Sequence, residues 1–251
     1  MHKVCLALPG ASMCWGTAKA VIGLANSQLE VSLRNSGNGW DDFNGLWAQA
    51  LNEFEAGAIT HFAMLHSDIA PLGDWIDVLL AELDRGFDLV SAIAPIKDSR
   101  GVTSSGIGDE SDNWHPFRRF TMAEVCRMPE TFTASTIGYG HRFLLHNSGC
   151  WACDLRSGLF NRTNEVGELI AHFDFPRRVV RRDGKFVNDS ESEDWFFSRK
   201  IHKLGARSAI TRKVKLTHKG PIAMPNDEPW GSYTAGDVDT QHKWESDRGD
   251  I

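Results

Sequence analysis

The sequence predicts one α/β domain whose mostly parallel sheet is flanked by helices. Short apolar runs of strand length alternate with amphipathic segments of helix length through the first hundred residues, and the apolar runs end in polar or turn-forming residues. Repeated βα units of this kind place helices on both faces of a parallel sheet. At 251 residues two small domains would also fit, but a single extended sheet accounts for the pattern. A hydrophobic content of 41%, with nine Trp and fourteen Phe, supplies a core. No segment reaches the roughly 20 uninterrupted apolar residues of a membrane span.

The elements follow in order. Residues 4–8 read as a first strand that Pro9-Gly10 ends; the apolar run is too short for a signal peptide, which suits a cytoplasmic chain. A helix over 17–25, a strand over 29–33 and a helix over 40–56 come next. The strand at 62–65 is cut off by His66-Ser67-Asp68 and a proline. The helix at 72–85 sets Leu72, Ile76, Leu79, Leu80 and Leu83 on one face at the 3.6-residue period. A strand over 87–94 ends at Pro95-Ile96-Lys97. Ligands of such sheets bind beyond the carboxyl ends of the strands, so Pro9-Gly10, Arg34-Asn35, His66-Ser67-Asp68 and Pro95-Ile96-Lys97 are expected along one edge.

Beyond Lys97 the periodicity is lost. Residues 98–113 are rich in Gly, Ser and Asp, as a mobile loop over a site or a disordered insertion would be, and 114–142 carry no clear assignment. A strand returns at 149–155, a helix at 190–204 with Phe197, Ile201 and Leu204 on one face, and a last strand at 209–216 ending in Thr217-His218. The expected division is a main domain over 1–220 and a Pro-, Gly- and Asp-rich tail or lid over 221–251. No internal repeat is visible.

Five cysteines, an odd number, argue against a disulfide framework and for a reducing compartment. Cys150 and Cys153 form a CxxC pair, which leaves a redox centre or half of a zinc site as a minor reading. The formal charge of −6 hides an asymmetry: residues 177–219 hold 13 Lys/Arg against 5 Asp/Glu. Such a stretch suits a solvated face, a diphosphate or a nucleic acid, and a nucleic-acid-binding module built on 177–219 is the alternative function.

Four features stand in one order: a strand ending in Pro-Gly, a strand ending in HSD and followed by a helix, a SED segment opening a helix, and a lone His after the final strand. This order, over about residues 3–220, resembles the GT-A family of nucleotide-sugar glycosyltransferases, in particular the compact type of bacteria and phages. The resemblance implies a GT-A-like (Rossmann-like) fold in a bacterial or phage-infected host cell, a nucleotide-sugar donor, and as acceptor a glycan or a modified nucleic acid such as a modified DNA base. HSD looks like the family's DxD motif, in which the last Asp holds the Mn²⁺ or Mg²⁺ that bridges the donor phosphates; His66 replaces the first Asp, leaving Asp68 as principal ligand. His218 would complete the metal site, and Pro9, Gly10, Arg34, Asn35, His66, Ser67 and Lys97 would line the donor site. Asn44 looks like the Asn of the family's RN pair, with Phe43 in place of the Arg. In SED, Asp194 is the better match to a general base or acceptor-positioning residue, and Glu193 either shares that role or closes a capping box with Ser190. The residues leave open the donor sugar and base, the stereochemistry and the oligomeric state.

Overall fold

The computed structural model describes residues 2–10, 12–24, 29–36, 42–110 and 114–235. The first half of the chain contains β1 (Lys3–Pro9), α1 (Trp15–Gly23), β2 (Glu30–Ser36), α2 (Asp42–Glu55), β3 (His61–Leu65), β4 (Ile69–Pro71), α3 (Trp75–Leu83) and β5 (Leu89–Ala92). It continues with β6 (Val102–Gly108), β7 (Arg118–Thr121), α4 (Met122–Val125), β8 (Thr131–Phe132), β9 (Phe143–Leu145) and β10 (Cys150–Asp154). The last part holds β11 (Arg177–Arg182), β12 (Lys185–Ser190), α5 (Glu193–Lys203), β13 (Ser208–Thr211), β14 (Leu216–Lys219) and β15 (Ala223–Pro225).

A seven-stranded sheet in the order β2-β1-β3-β10-β5-β13-β8 forms the centre. Strand pairing makes β2, β1, β3, β5 and β13 run one way, with β10 and β8 against them. The sheet is therefore mixed rather than uniformly parallel. Side chains alternate across it with a period of two. Val4, Leu6 and Leu8 of β1 and Ala63 and Leu65 of β3 face α3, where Trp75, Ile76, Leu79, Leu80 and Leu83 are buried. Cys5, Ala7, Phe62 and Met64 face the other way, onto Phe43, Trp47, Ala50 and Leu51 of α2 and Phe197 and Ile201 of α5. Aromatic packing closes this second layer: Phe173 stacks on Phe197 at 4.4 Å, and the Trp47 indole N–H donates to the Ala171 carbonyl at 2.7 Å.

Several expectations are corrected. Leu72 precedes α3 and is 63% exposed, so the apolar face of that helix begins at Trp75 and Ile76. The segment expected as a mobile loop at 98–113 is framework instead: β6 pairs antiparallel with β7 and β9 and is buried along most of its length, while 111–113 lie outside the described residues. Its Val102 and Ile107 supply the apolar contacts that its Gly and Ser composition conceals. The expected strand at 209–216 is two strands in different sheets, because β13 extends the central sheet whereas β14 pairs with β4 and β15. Helix α2 is described from Asp42 onward, so positions 40 and 41 of its expected start lie outside the described residues. The CxxC cysteines sit within β10, both buried, and burial pushes both thiols well above their ordinary value of 9.0. Reactive thiols need the opposite shift, so the oxidoreductase reading falls.

Residues 223–233 pack onto the body of the domain. Asn226, fully buried, accepts from the Leu216 amide at 2.8 Å and donates to the Ile93 and Val214 carbonyls, both at 2.9 Å. The Tyr233 amide donates to the Arg100 carbonyl at 3.0 Å. Truncating Asn226 to Ala would orphan three buried backbone groups at about 1–3 kcal/mol each, so urea unfolding of Asn226→Ala should show a loss of at least about 3 kcal/mol.

Candidate active site

A cleft of about 470 Å³ opens beyond the carboxyl ends of β1 and β3. It gathers Pro9, Gly10, His66, Ser67, Asp68, Lys97, His218, Glu193 and Asp194, nine of the residues singled out in the sequence. Gly10 has φ +116°, and a Cβ there would lie 3.1 Å from the Ser67 hydroxyl, so this position needs glycine for the ends of β1 and β3 to approach.

The HSD turn is anchored by its backbone. The Ser67 carbonyl accepts from the Cys14 amide at 2.7 Å and the Thr17 hydroxyl at 3.1 Å, and the Asp68 carbonyl accepts from the Lys219 amide at 2.8 Å. The antiparallel pairing of β14 with β4 sets His218 opposite Ile69, next to Asp68. As a result the His218 Nε2 lies 3.5 Å from the Asp68 carboxylate, which also binds the Lys97 ammonium. Burial acts to raise the Asp68 pKa, but hydrogen bonds from His218 and Lys97 outweigh it and hold the carboxyl well below the usual carboxylate range.

These donors fit one side of a Mn²⁺ or Mg²⁺ site. The His218 ring is held by its Nδ1, 2.7 Å from the Pro95 carbonyl, which must accept. That bond turns Nε2 towards the Asp68 carboxylate, so a cation between them would meet one imidazole nitrogen and one carboxylate oxygen. Among the described residues no third His, Cys, Asp or Glu joins them. Further metal ligands would have to come from a phosphate-bearing ligand and water.

At the other end stands the first turn of α5. The Glu193 carboxylate accepts from the Ser148 hydroxyl at 3.0 Å, and that hydroxyl lies 3.3 Å from the His66 Nε2. Phe43 stacks on the His66 ring at 5.3 Å, and burial pushes that imidazole down to about 4, so it is neutral near pH 7. Glu193 and Asp194 are both buried. Burial raises the Glu193 pKa, and burial together with the Glu193 charge raises that of Asp194 further.

The two acids have different neighbours. Asp194 Oδ1 accepts from the Trp195 amide at 2.8 Å and the Ser192 hydroxyl at 2.5 Å, whereas Glu193 also borders an adjoining cavity with Phe43, Phe175 and Arg177. The expected capping box between Ser190 and Glu193 is not formed: Ser190 ends β12, and the cap residue is Ser192.

Two residues expected at the donor site lie elsewhere or serve the framework. Arg34 turns to α2, where its Nε donates to Glu53 at 2.9 Å. Asn35 does not line the cleft but donates to the Leu8 carbonyl at 2.9 Å and the Gly10 carbonyl at 3.3 Å, tying β2 to the end of β1. Asn44 exchanges hydrogen bonds with the Phe173 backbone at 2.7 and 2.9 Å. Sequence reasoning missed Ser148, Asn147, Phe43 and Phe175 in the cleft. The available signal was the polar quartet His146-Asn147-Ser148-Gly149 wedged between the apolar runs of β9 and β10.

No family model matches the sequence, and no curated protein matches it. Among solved structures the chain is similar to A197 from STIV, with 12% identity and a TM-score of 0.52 over 96% of this chain and 100% of that one. At that identity the likeness concerns the fold alone. UDP-glucose pyrophosphorylase complexed with UDP-glucose aligns at 8% identity and a TM-score of 0.37, over 86% of this chain and 93% of that one. A point mutant of the UDP-glucose pyrophosphorylase from Leishmania major aligns at 10% and 0.40, over 84% of this chain and 63% of that one.

The raised Glu193 pKa has a consequence for stability. Because the folded state favours the protonated acid, the cost of burying its charge is absent below the ordinary value of 4.5 and grows as pH rises through the folded value. Glu193→Gln removes that cost. Thermal unfolding should show the variant melting above the wild type at pH 7, with the difference vanishing by about pH 4.

Proposed function

We propose that the protein is a glycosyltransferase that moves a sugar from a nucleoside diphosphate to an acceptor hydroxyl with inversion. One observation carries the reading: a single cleft holds the Lys97 ammonium and the His218 imidazole beside a strand-end carboxylate at one end, and at the other a buried glutamate with a raised pKa. Inverting transfer needs both, a counter-charge for the departing diphosphate and an acceptor for the hydroxyl proton.

In this reading the Lys97 ammonium stands where diphosphate charge accumulates, and the Gly10 backbone lets the nucleotide approach closely. Asp68 and His218 would hold Mn²⁺ or Mg²⁺, which supplies Lewis-acid stabilisation of the leaving diphosphate. Glu193 takes the proton from the acceptor hydroxyl as its oxygen bonds to the anomeric carbon. The bond from that carbon to the diphosphate breaks, and the diphosphate leaves with the electron pair. Ser148, held against His66, orients the Glu193 carboxylate. Glu193 is preferred to Asp194 because its carboxylate meets Ser148 and borders both the cleft and the adjoining cavity. Asp194 borders the cleft but not that cavity, and its Oδ1 is taken up by Ser192 and the Trp195 amide.

Two comparisons test the reading. Glu193→Gln should lower transfer by about 10²–10⁴ with donor affinity nearly unchanged, while Asp194→Asn keeps most of the rate. The reverse order would move the base to Asp194, and normal rates in both would remove it. For the donor end, calorimetry with UDP-, GDP- and CDP-sugars and Mn²⁺ should show donor binding lost in Asp68→Asn and intact in Asp74→Asn, whose carboxylate is exposed at the start of α3. Consumption of added pyrophosphate with formation of a nucleoside triphosphate and a sugar 1-phosphate, instead of release of nucleoside diphosphate, would reassign the chemistry to nucleotidyl transfer.

A further inference from the structure

The basic stretch of the sequence is not one surface. Arg207 pairs with Asp88 and Lys213 with Glu82, so part of its charge is spent on the α3 side of the sheet. Five of its remaining Lys/Arg lie in the ribbon formed by β11, β12 and the turn between them, against two Asp.

The ribbon has two unlike faces, because cross-strand partners in an antiparallel pair lie on the same side. One face is turned to the body. There Arg178 lies 4.0 Å over the Trp114 ring and 2.9 Å from Asp189, and His115 lies 2.8 Å from the same carboxylate. The other face carries the pairs Arg177 with Ser190, Val179 with Asn188, and Arg181 with Phe186. It contains no acid, and neither arginine has a carboxylate partner among the described residues. Phe186 is 73% and Val179 71% exposed, and the Arg181 guanidinium lies 5.2 Å from the Phe186 ring centroid.

We propose that this outer face docks a single-stranded nucleic acid, with Arg177 and Arg181 on phosphates and Phe186 as a stacking platform for an unpaired base. Charge complementarity selects a polyanion, and an exposed aromatic ring beside a guanidinium selects one that carries bases. The ribbon also leads to the cleft. Arg177 borders the cavity that shares Phe43, Phe175 and Glu193 with it, and β12 ends three residues before Glu193. That the docked strand presents the acceptor hydroxyl rests on the transferase reading; the docking itself does not.

The test is fluorescence anisotropy of a labelled 20-nucleotide oligothymidylate with the full chain over a range of salt concentrations. Phe186→Ala should weaken binding on the order of 5- to 150-fold, the range for loss of one base stack. The double variant Arg177→Ser/Arg181→Ser should flatten the slope of log affinity against log salt by about 1.4, two phosphates at roughly 0.7 each. The charge-matched control Arg127→Ser/Arg162→Ser, two exposed arginines outside the ribbon, should leave both quantities unchanged. Wild-type affinity in the ribbon variants, equal affinity for base-free polyphosphate, or tighter binding of a duplex would overturn the proposal. Donor calorimetry on the same preparations reports on the cleft separately: Phe186→Ala and Arg181→Ser should bind donor normally. Failure of every sugar donor alongside normal, ribbon-dependent strand binding would sink the transferase reading and leave the docking surface standing.

Discussion

The structure depends on one reversed strand. β10 enters the sheet between β3 and β5, antiparallel to both, with Cys150 opposite Leu65. Because it starts where β3 ends, the residues that lead into it are delivered to the cleft: the His66 amide donates to the Gly149 carbonyl at 2.8 Å, and Ser148 comes between His66 and Glu193. The same strand carries Trp151 into the aromatic layer beneath α2 and α5. Without this insertion β5 and β13 would have no connection to β1 and β3, and the polar cluster at the end of a buried strand would have no partner across the cleft. Packing and chemistry are thus determined by the same pairing.

The cleft separates its charges. At the β4–β14 end a carboxylate is stabilised by an ammonium and an imidazole; at the α5 end two carboxylates are crowded together and shielded from water. The N-terminal end of a helix favours acids by about 0.3–1 kcal/mol, a contribution smaller than the cost of burying them. The raised pKa of Glu193 is therefore a departure from the most stable arrangement, of the kind that proteins retain where a group must take up a proton. Neutral His66 suits this arrangement, since an imidazolium beside Ser148 would draw the Glu193 pKa back down.

Charge in the rest of the chain is distributed by topology rather than by sequence proximity. Asp189 gathers Arg178 and His115 onto the inner face of the ribbon, and Glu82 and Asp88 take Lys213 and Arg207 far along the chain. The cations left on the outer face, Arg177 and Arg181, have no carboxylate partner among the described residues. A two-residue periodicity thus sorts adjacent arginines into structural and exposed sets.

The sequence by itself determined the elements with a strong period. The apolar runs of β1 and β3, the apolar stripes of α3 and α5, and the polar residues at strand ends are all local patterns, and Gly10, His66, Asp68 and Lys97 were legible from them. Tertiary structure alone decided the direction of β10, the pairing of β14 with β4 that brings His218 to Asp68, and the burial of β6. It also decided that Arg34 turns to Glu53 and that the Glu193 carboxylate meets Ser148 and borders both the cleft and the adjoining cavity. The physical reason is the range of the information. Periodicity records which side of an element is apolar, whereas strand direction, strand partner and the aim of a polar side chain are set by residues far apart in the chain that meet only when the sheet closes.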